Sequence, residues 1–311
     1  MLFGSFYLGG EIKGGDEIWY FYRSDGKRLP VYKDDEKDIY FFNEITLPTS
    51  FLQYAGNRNV RLHFLKYGFY QTGFIPYASD SPFYIYYRQY WHLKHRRLEI
   101  AKTIVKGEIL AISTVVKYFP HDDLLMKLQE AQDISTLMSV EGYAMKYLWM
   151  WLSKKISAFN GRVYHPPTDP INATISFAFA HLYGLVFSAI KLVGIDPRIG
   201  YLHENRFRTY TLHLDMADLY KPYVVEFVKD LWNRGIIKPS WFFRVGKAYY
   251  IKDTHRDKFL EYWDDYIRDR AKKWCGKYSF LLMVVKDMRE FRGHLIKGDR
   301  PFIPCNVEHI W

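Results

Sequence analysis

Between Ile171 and Val193 the sequence is almost continuously apolar, and a segment of that kind has to be covered on every side. Asp169 precedes it as an N-cap, Pro170 stands at the first helical position and Gly194 supplies the stop, so the spacing predicts one long helix. Length and apolarity alone also fit a membrane span over 175–195. His181 and Lys191 interrupt that span and no strong interface anchors flank it, which favours the core helix of a folded domain. The rest of the chain therefore has to wrap around this element. Its far end delivers Gly194-Ile-Asp-Pro-Arg-Ile-Gly-Tyr-Leu-His203, a loop with one imidazole. The next helix candidate then brings Asp215 and Asp218, three apart and so on neighbouring rows of one face.

The 311 residues suffice for one large or two ordinary domains, and 49% hydrophobic content supports a sizeable core and excludes a disordered chain. Lys and Arg number 44 against 34 Asp and Glu, a net charge of +10, which points to a polyanionic partner. Charge alone fits DNA, RNA or an anionic membrane surface. Cys275 and Cys305 are the two cysteines, too far apart for a zinc ribbon and too few for a disulfide framework, so the reducing cytoplasm is the expected compartment. The first ten residues lack the basic start and sustained apolar run of a signal peptide and read as a strand.

Residues 1 to about 78 alternate in the manner of half-buried strands: Glu17–Tyr22, Asp38–Phe42 and Val60–Leu65, with a turn at Ser24-Asp-Gly26. A short helix is expected over Pro48–Ala55, capped by Thr46 or Thr49, and further turns at Gly68, Gly73 and Pro76. The run Phe83–Tyr87 fits either a last strand or a connector. From Trp91 the period becomes helical, with Leu98, Ala101, Ile104, Val105, Ile112, Val115 and Val116 on one face, Lys94, Arg97, Lys102 and Lys106 on the other, and Pro120 as the stop. Helix then follows helix. The fold class is α+β: a β-rich N-terminal domain of short strands (1–90) followed by a larger all-α domain (91–311).

The helix expected over Ile134–Ser157 has an apolar stripe of Ile134, Leu137, Met138, Met145, Leu148 and Leu152, and Glu141 falls on it. A glutamate is almost never buried unpaired, so a metal ion, an Arg or Lys, or water has to meet it. By residue chemistry Glu141, His203 and Asp218 would suit a hard divalent ion such as Mg²⁺ or Mn²⁺, which phosphodiester chemistry needs to neutralise charge on the scissile phosphate. The competing reading gives Glu141 a buried ion pair and leaves His203 as a loop residue bonded to backbone. Basic groups flank the region, namely Arg162, His165, Arg198, Arg206, Arg208 and Lys221, with Tyr164, Phe207 and Tyr210 able to stack on a base. They read as phosphate contacts or, on residue type alone, as a solvated face.

Four blocks carry a resemblance that spacing could not supply: Val140-Glu-Gly-Tyr-Ala, Pro166-Pro-Thr-Asp-Pro-Ile-Asn-Ala, Gly194 through His203, and Asp215-Met-Ala-Asp-Leu-Tyr-Lys-Pro222. In order and separation they resemble the CRISPR-associated spacer-acquisition integrase, the metal-dependent DNase subunit of the adaptation complex. Leu62–Leu65, Gly68, Tyr70, Gly73–Pro76 and Arg97–Lys102 extend the likeness over nearly the whole chain. The resemblance implies that Glu141, His203 and Asp218 are metal ligands, that Asp215 is an auxiliary acid, and that Asp169 and Asn172 order the surrounding loops. It further implies a homodimer through the β-rich domains, with two dimers bridged by a small ferredoxin-like subunit and no membrane partner. The implied reaction joins 3′-hydroxyls of short captured duplex DNA to the CRISPR repeat by transesterification, with DNA hydrolysis as a companion activity. The rival within this frame is a catalytically silent DNA-binding scaffold. Two departures stand out: His165 replaces the Arg or Lys usual before the double proline, and Lys106-Gly-Glu108 replaces the more usual Gly-Lys, reversing one charge on a possible DNA face.

Overall fold

The computed structural model describes residues 3–6, 9–15, 18–31, 38–41, 44–58, 60–65, 71–75, 83–204, 210–269, 278–298 and 302–305. The chain divides into two compact units, Met1–Ser81 and Pro82–Trp311.

The first unit holds two four-stranded sheets. Its elements are β1 (Phe3–Phe6), β2 (Gly10–Gly15), β3 (Ile18–Arg23), β4 (Arg28–Pro30), β5 (Asp38–Phe41), β6 (Ile45–Thr46), α1 (Thr49–Asn57), β7 (Arg61–Leu65) and β8 (Gln71–Ile75). One sheet runs β1-β5-β7-β8 and the other β4-β3-β2-β6. Alternation decides the faces: Trp19 and Phe21 of β3 are buried, while Ile18 and Tyr22 face water. Those two aromatics pack with Ile12, Val31, Ile39, Phe41 and Leu62, and α1 adds Phe51 and Ala55. The expected turn at Ser24–Gly26 is present, with Gly26 at φ 87° and Asp25 Oδ1 accepting from the Lys27 amide at 3.2 Å. The threonine cap is not: Pro48 is the N-cap of α1 and no side chain bonds there. Gly73 lies within β8, opposite Phe64 beside a register shift, and so marks an irregularity and not a turn. Gly68 and Pro76 lie outside the described residues.

The second unit is mostly helical. It comprises α2 (Phe83–His95), α3 (Arg97–Val115), α4 (His121–Glu130), α5 (Ile134–Lys155), α6 (Pro170–Leu192), α7 (Leu212–Asp218), α8 (Lys221–Asn233), β9 (Phe242–Val245), β10 (Ala248–Ile251), α9 (Asp253–Arg268) and α10 (Phe280–Lys297). The ambiguous run Phe83–Tyr87 is the start of α2, so the boundary expected at 90/91 falls inside a helix. One hairpin, β9–β10, interrupts the expected all-α order, and Gly246 at φ 59° begins its two-residue turn.

The sequence signals at the central helix hold. Asp169 accepts a hydrogen bond from the Asn172 amide at 2.8 Å, Pro170 opens α6, and Gly194 at φ 74° ends it. By length and composition α6 could cross a membrane, but 78% of its apolar window is buried within the fold, against α7, α8 and α10. Each buried Ile, Leu or Phe contributes about 1.5–3 kcal/mol. A cap contributes about 1 kcal/mol. Packing, and not local propensity, therefore fixes this element. Cys305 is buried and disulfide-bonded, a cross-link that the cysteine spacing did not suggest, and its amide donates to Asp287 Oδ1 at 2.7 Å. Cys275 lies outside the described residues.

Candidate metal centre

Three helices from distant parts of the chain bring one carboxylate each to a single point. Glu108 of α3, Glu141 of α5 and Asp218 at the end of α7 place carboxylate oxygens within 4.8 Å of one another. The local reasons are visible in the sequence. On α5 the buried stripe is Leu137, Val140, Ala144, Leu148 and Leu152, which carries Glu141 inward beside it; Met138, expected on the stripe, is exposed. On α3 the Ile104–Ile112 stretch is buried nearly all round, Glu108 included. Gly107 allows the approach: a Cβ there would lie 2.5 Å from Leu219 Cδ2 and 3.0 Å from Pro304 Cγ.

Burial and like charge raise the cost of ionising Glu141 and Glu108. Glu141 is pushed up to about 7, first by burial and then by the charge of Asp218. Glu108 is held well above the carboxylate range by burial, with Glu141 and Asp218 adding to it. One cation stands among them. Lys221 Nζ lies 2.5 Å from Asp218 Oδ1, and although burial works against its charge, Asp218, Tyr183, Glu108 and Glu141 together hold the ammonium well above its usual range.

His203 enters from the loop after α6, and Asp215 places it. Asp215 is fully buried and accepts hydrogen bonds from the amides of Tyr201 (2.5 Å), Leu202 (3.0 Å) and His203 (2.9 Å), and its Oδ1 lies 2.7 Å from His203 Nδ1. One carboxylate thus folds three consecutive residues around itself and fixes the ring, leaving Nε2 for a ligand. Gly200 is required there, because a Cβ would meet Thr211 Oγ1 at 2.6 Å and Asp215 Oδ2 at 2.8 Å. Other ties hold the loop. Gln89 accepts from the Asp196 amide at 2.8 Å, and Arg97 Nε donates to Tyr201 O at 2.9 Å. Burial lowers the His203 imidazole, but the bond to Asp215 and the charges of Asp218 and Asp215 outweigh it, and the net shift is upward.

The basic groups divide. Arg162 is neither a solvated face nor a free phosphate contact: its guanidinium donates to Asn172 Oδ1 at 3.0 Å and Ser176 Oγ at 2.9 Å and stacks on Tyr164. Asn172 also takes the Val163 amide at 2.9 Å and donates to Gly161 O at 2.9 Å, so with Asp169 it ties the 161–163 loop to the start of α6. Arg198 pairs with Asp196 at 2.6 Å while its side chain stays 66% exposed. His165 is exposed, as are Tyr164 and Tyr210. Arg206, Phe207 and Arg208 lie outside the described residues. Glu108 is the residue that sequence reasoning misplaced. It was expected to reverse a charge on a possible DNA face, yet it is 0% exposed and sits with Glu141 and Asp218. The signal that could have found it is the one used for Glu141, a lone acid at i+4 from Ile104 and i−4 from Ile112.

The donor set fits a hard divalent cation. Both oxygens of Glu108 and both of Asp218 are buried, and among the described residues none has a hydrogen-bond partner, Lys221 meeting Asp218 Oδ1 as an ion pair. Oxygen donors in this state, with one imidazole nearby, suit Mg²⁺ or Mn²⁺.

The profile described as CRISPR associated protein Cas1 matches residues 9–265. A CRISPR-associated endonuclease Cas1 from Moorella thermoacetica is 30% identical over 90% of this chain and 92% of its own. The solved structure of a Cas1 protein from Thermotoga maritima superposes with a TM-score of 0.76 at 26% identity, covering 95% of this chain and 97% of the other. A casposase bound to integration product shares the fold at a TM-score of 0.78 and 18% identity, covering 99% and 94%. The chain belongs to the Cas1 family of CRISPR-associated proteins.

Proposed function

We propose that this chain is a divalent-metal-dependent DNA integrase and endonuclease of CRISPR adaptation. It would join the 3′-hydroxyls of short captured duplex DNA to the CRISPR repeat by transesterification, and hydrolyse DNA when water takes the place of the hydroxyl. The observation that carries this reading is the meeting of Glu141 and Asp218, from separate helices, beside a His203 whose ring Asp215 holds by Nδ1. Family membership and the casposase likeness support integration as the reaction class.

Glu141, Asp218 and His203 Nε2 would hold a Mg²⁺ or Mn²⁺ ion, which supplies neutralisation of the charge that builds on a scissile phosphate. The chain's own residues do the rest. Asp215 fixes the imidazole, the Gly194–His203 loop is tied down before DNA arrives, and no protein nucleophile is needed, so catalysis is positioning and charge stabilisation. Lys221 holds Asp218 in place through their ion pair. The assembly is a homodimer through the β-rich unit, two dimers bridged by a small ferredoxin-like subunit.

A strand-transfer assay tests this with labelled short duplex DNA and a supercoiled repeat-bearing plasmid, with Mg²⁺, Mn²⁺ or chelator, for wild type and Asp218→Ala. Metal-dependent joining that disappears in the variant is the expected result. Binding without joining under every condition overturns it in favour of a silent scaffold, and joining that survives Asp218→Ala means the ligand set is wrong.

A further inference from the structure

Glu108 has no role in the ligand set just named, and its condition calls for one. Its side chain is 0% exposed, neither carboxylate oxygen accepts a hydrogen bond among the described residues, and it offers an oxygen within 4.8 Å of those of Glu141 and Asp218. An isolated buried carboxylate is costly unless a cation reaches it. The cation at hand, Lys221, makes its contact with Asp218. With all three ionised, as ligands of a metal must be, one ammonium leaves two negative charges over, which is the charge one divalent ion brings.

Glu108 is also held close to the cluster: α3 packs tightly beside the end of α7 at the preceding residue, where a Cβ on Gly107 would lie 2.5 Å from Leu219 Cδ2 and 3.0 Å from Pro304 Cγ. Resting on the metal reading above, we propose that Glu108 is a direct ligand of the same divalent ion, so that three carboxylates from α3, α5 and α7 surround it and His203 completes the set. Such an oxygen-rich shell selects Mg²⁺ or Mn²⁺ over softer metals.

The test is Mn²⁺ binding to the full chain by isothermal titration calorimetry, without DNA. Thermal unfolding with and without Mn²⁺ accompanies it, for wild type, Glu141→Gln and Glu108→Gln. Glu108→Gln is expected to unfold at or above the metal-free wild-type temperature, because an uncompensated buried acid has become a neutral isostere. It should bind Mn²⁺ about tenfold more weakly or worse, with a smaller Mn²⁺-induced rise in Tm. Wild-type Mn²⁺ affinity in Glu108→Gln, while Glu141→Gln binds weakly, makes Glu108 a protonated core acid and overturns the proposal with the Glu141 site intact. No Mn²⁺ binding by wild type, or full binding by Glu141→Gln, removes the reading on which the proposal rests. Should Glu108→Gln fail to fold, Glu108→Asp carries the test with the charge kept and the arm one methylene shorter: weakened Mn²⁺ binding supports ligation and unchanged affinity overturns it.

Discussion

Asp215 and Asp218 stand three residues apart on the same short helix, both wholly buried, yet their surroundings are opposite. Asp215 is surrounded by donors: three backbone amides and an imidazole converge on it. Asp218 faces two further carboxylates and one ammonium, and apart from the Lys221 ion pair at Oδ1 its oxygens have no partner among the described residues. A buried acid whose lone pairs are filled holds structure together, whereas one left open among like charges is kept at a cost that structure alone does not justify. In the proposed site the helix carries a positioning residue and a binding residue side by side, and the contrast can be broken experimentally.

The largest effect is expected on activity. Asp218→Asn should lower strand transfer by about a thousandfold or more, several kcal/mol of lost charge stabilisation, while unfolding close to wild type. An equal loss of folded protein would make Asp218 structural and erase the distinction. Asp215→Ala should show the converse, a stability loss of about 3–5 kcal/mol in denaturant unfolding as several buried donors lose their acceptor, with activity falling alongside. Gly200→Ala presses a methyl against Thr211 and Asp215 and should cost about 1–3 kcal/mol through the same hub.

The smallest effect is a pH dependence confined to the open acids. Glu141 titrates at about 7 in the folded metal-free chain, above an ordinary carboxylate. The folded state then binds more protons than the unfolded state between the ordinary carboxylate range and about 7, so metal-free stability falls as pH rises through that window. Because a ligand must be deprotonated, Mn²⁺-induced stabilisation should grow from pH 6 to pH 8, and Glu141→Gln should flatten the trend in paired melting curves. A slope that persists in Glu141→Gln would assign the titration elsewhere.

What could be read in advance follows the same division. The α6 core helix, its Asp169 cap and its Gly194 stop are local chemistry, written in adjacent residues, and they stand as expected. Glu141 was legible as an acid in an apolar stripe. His203 and Asp218 were candidates by residue chemistry with a bland alternative beside them, and only the family resemblance implied them as ligands, because no spacing encodes which helices meet. Arg162 and Lys221 were read as one basic face, but the first is consumed by Asn172 and Ser176 and the second by Asp218. Glu108 was missed because Lys106 beside it suggested surface, although its neighbours four residues either way are core.

The carboxylates lie on helices that begin at residues 97, 134 and 212, so no short stretch of the chain contains the cluster. A fragment, a nascent chain that stops before α7, or a molecule in which α7 has locally opened still carries some of the acids but cannot assemble them. Assembly of the cluster is thereby tied to the completed fold: whatever unfolds the chain, or truncates it before α7, also takes the cluster apart.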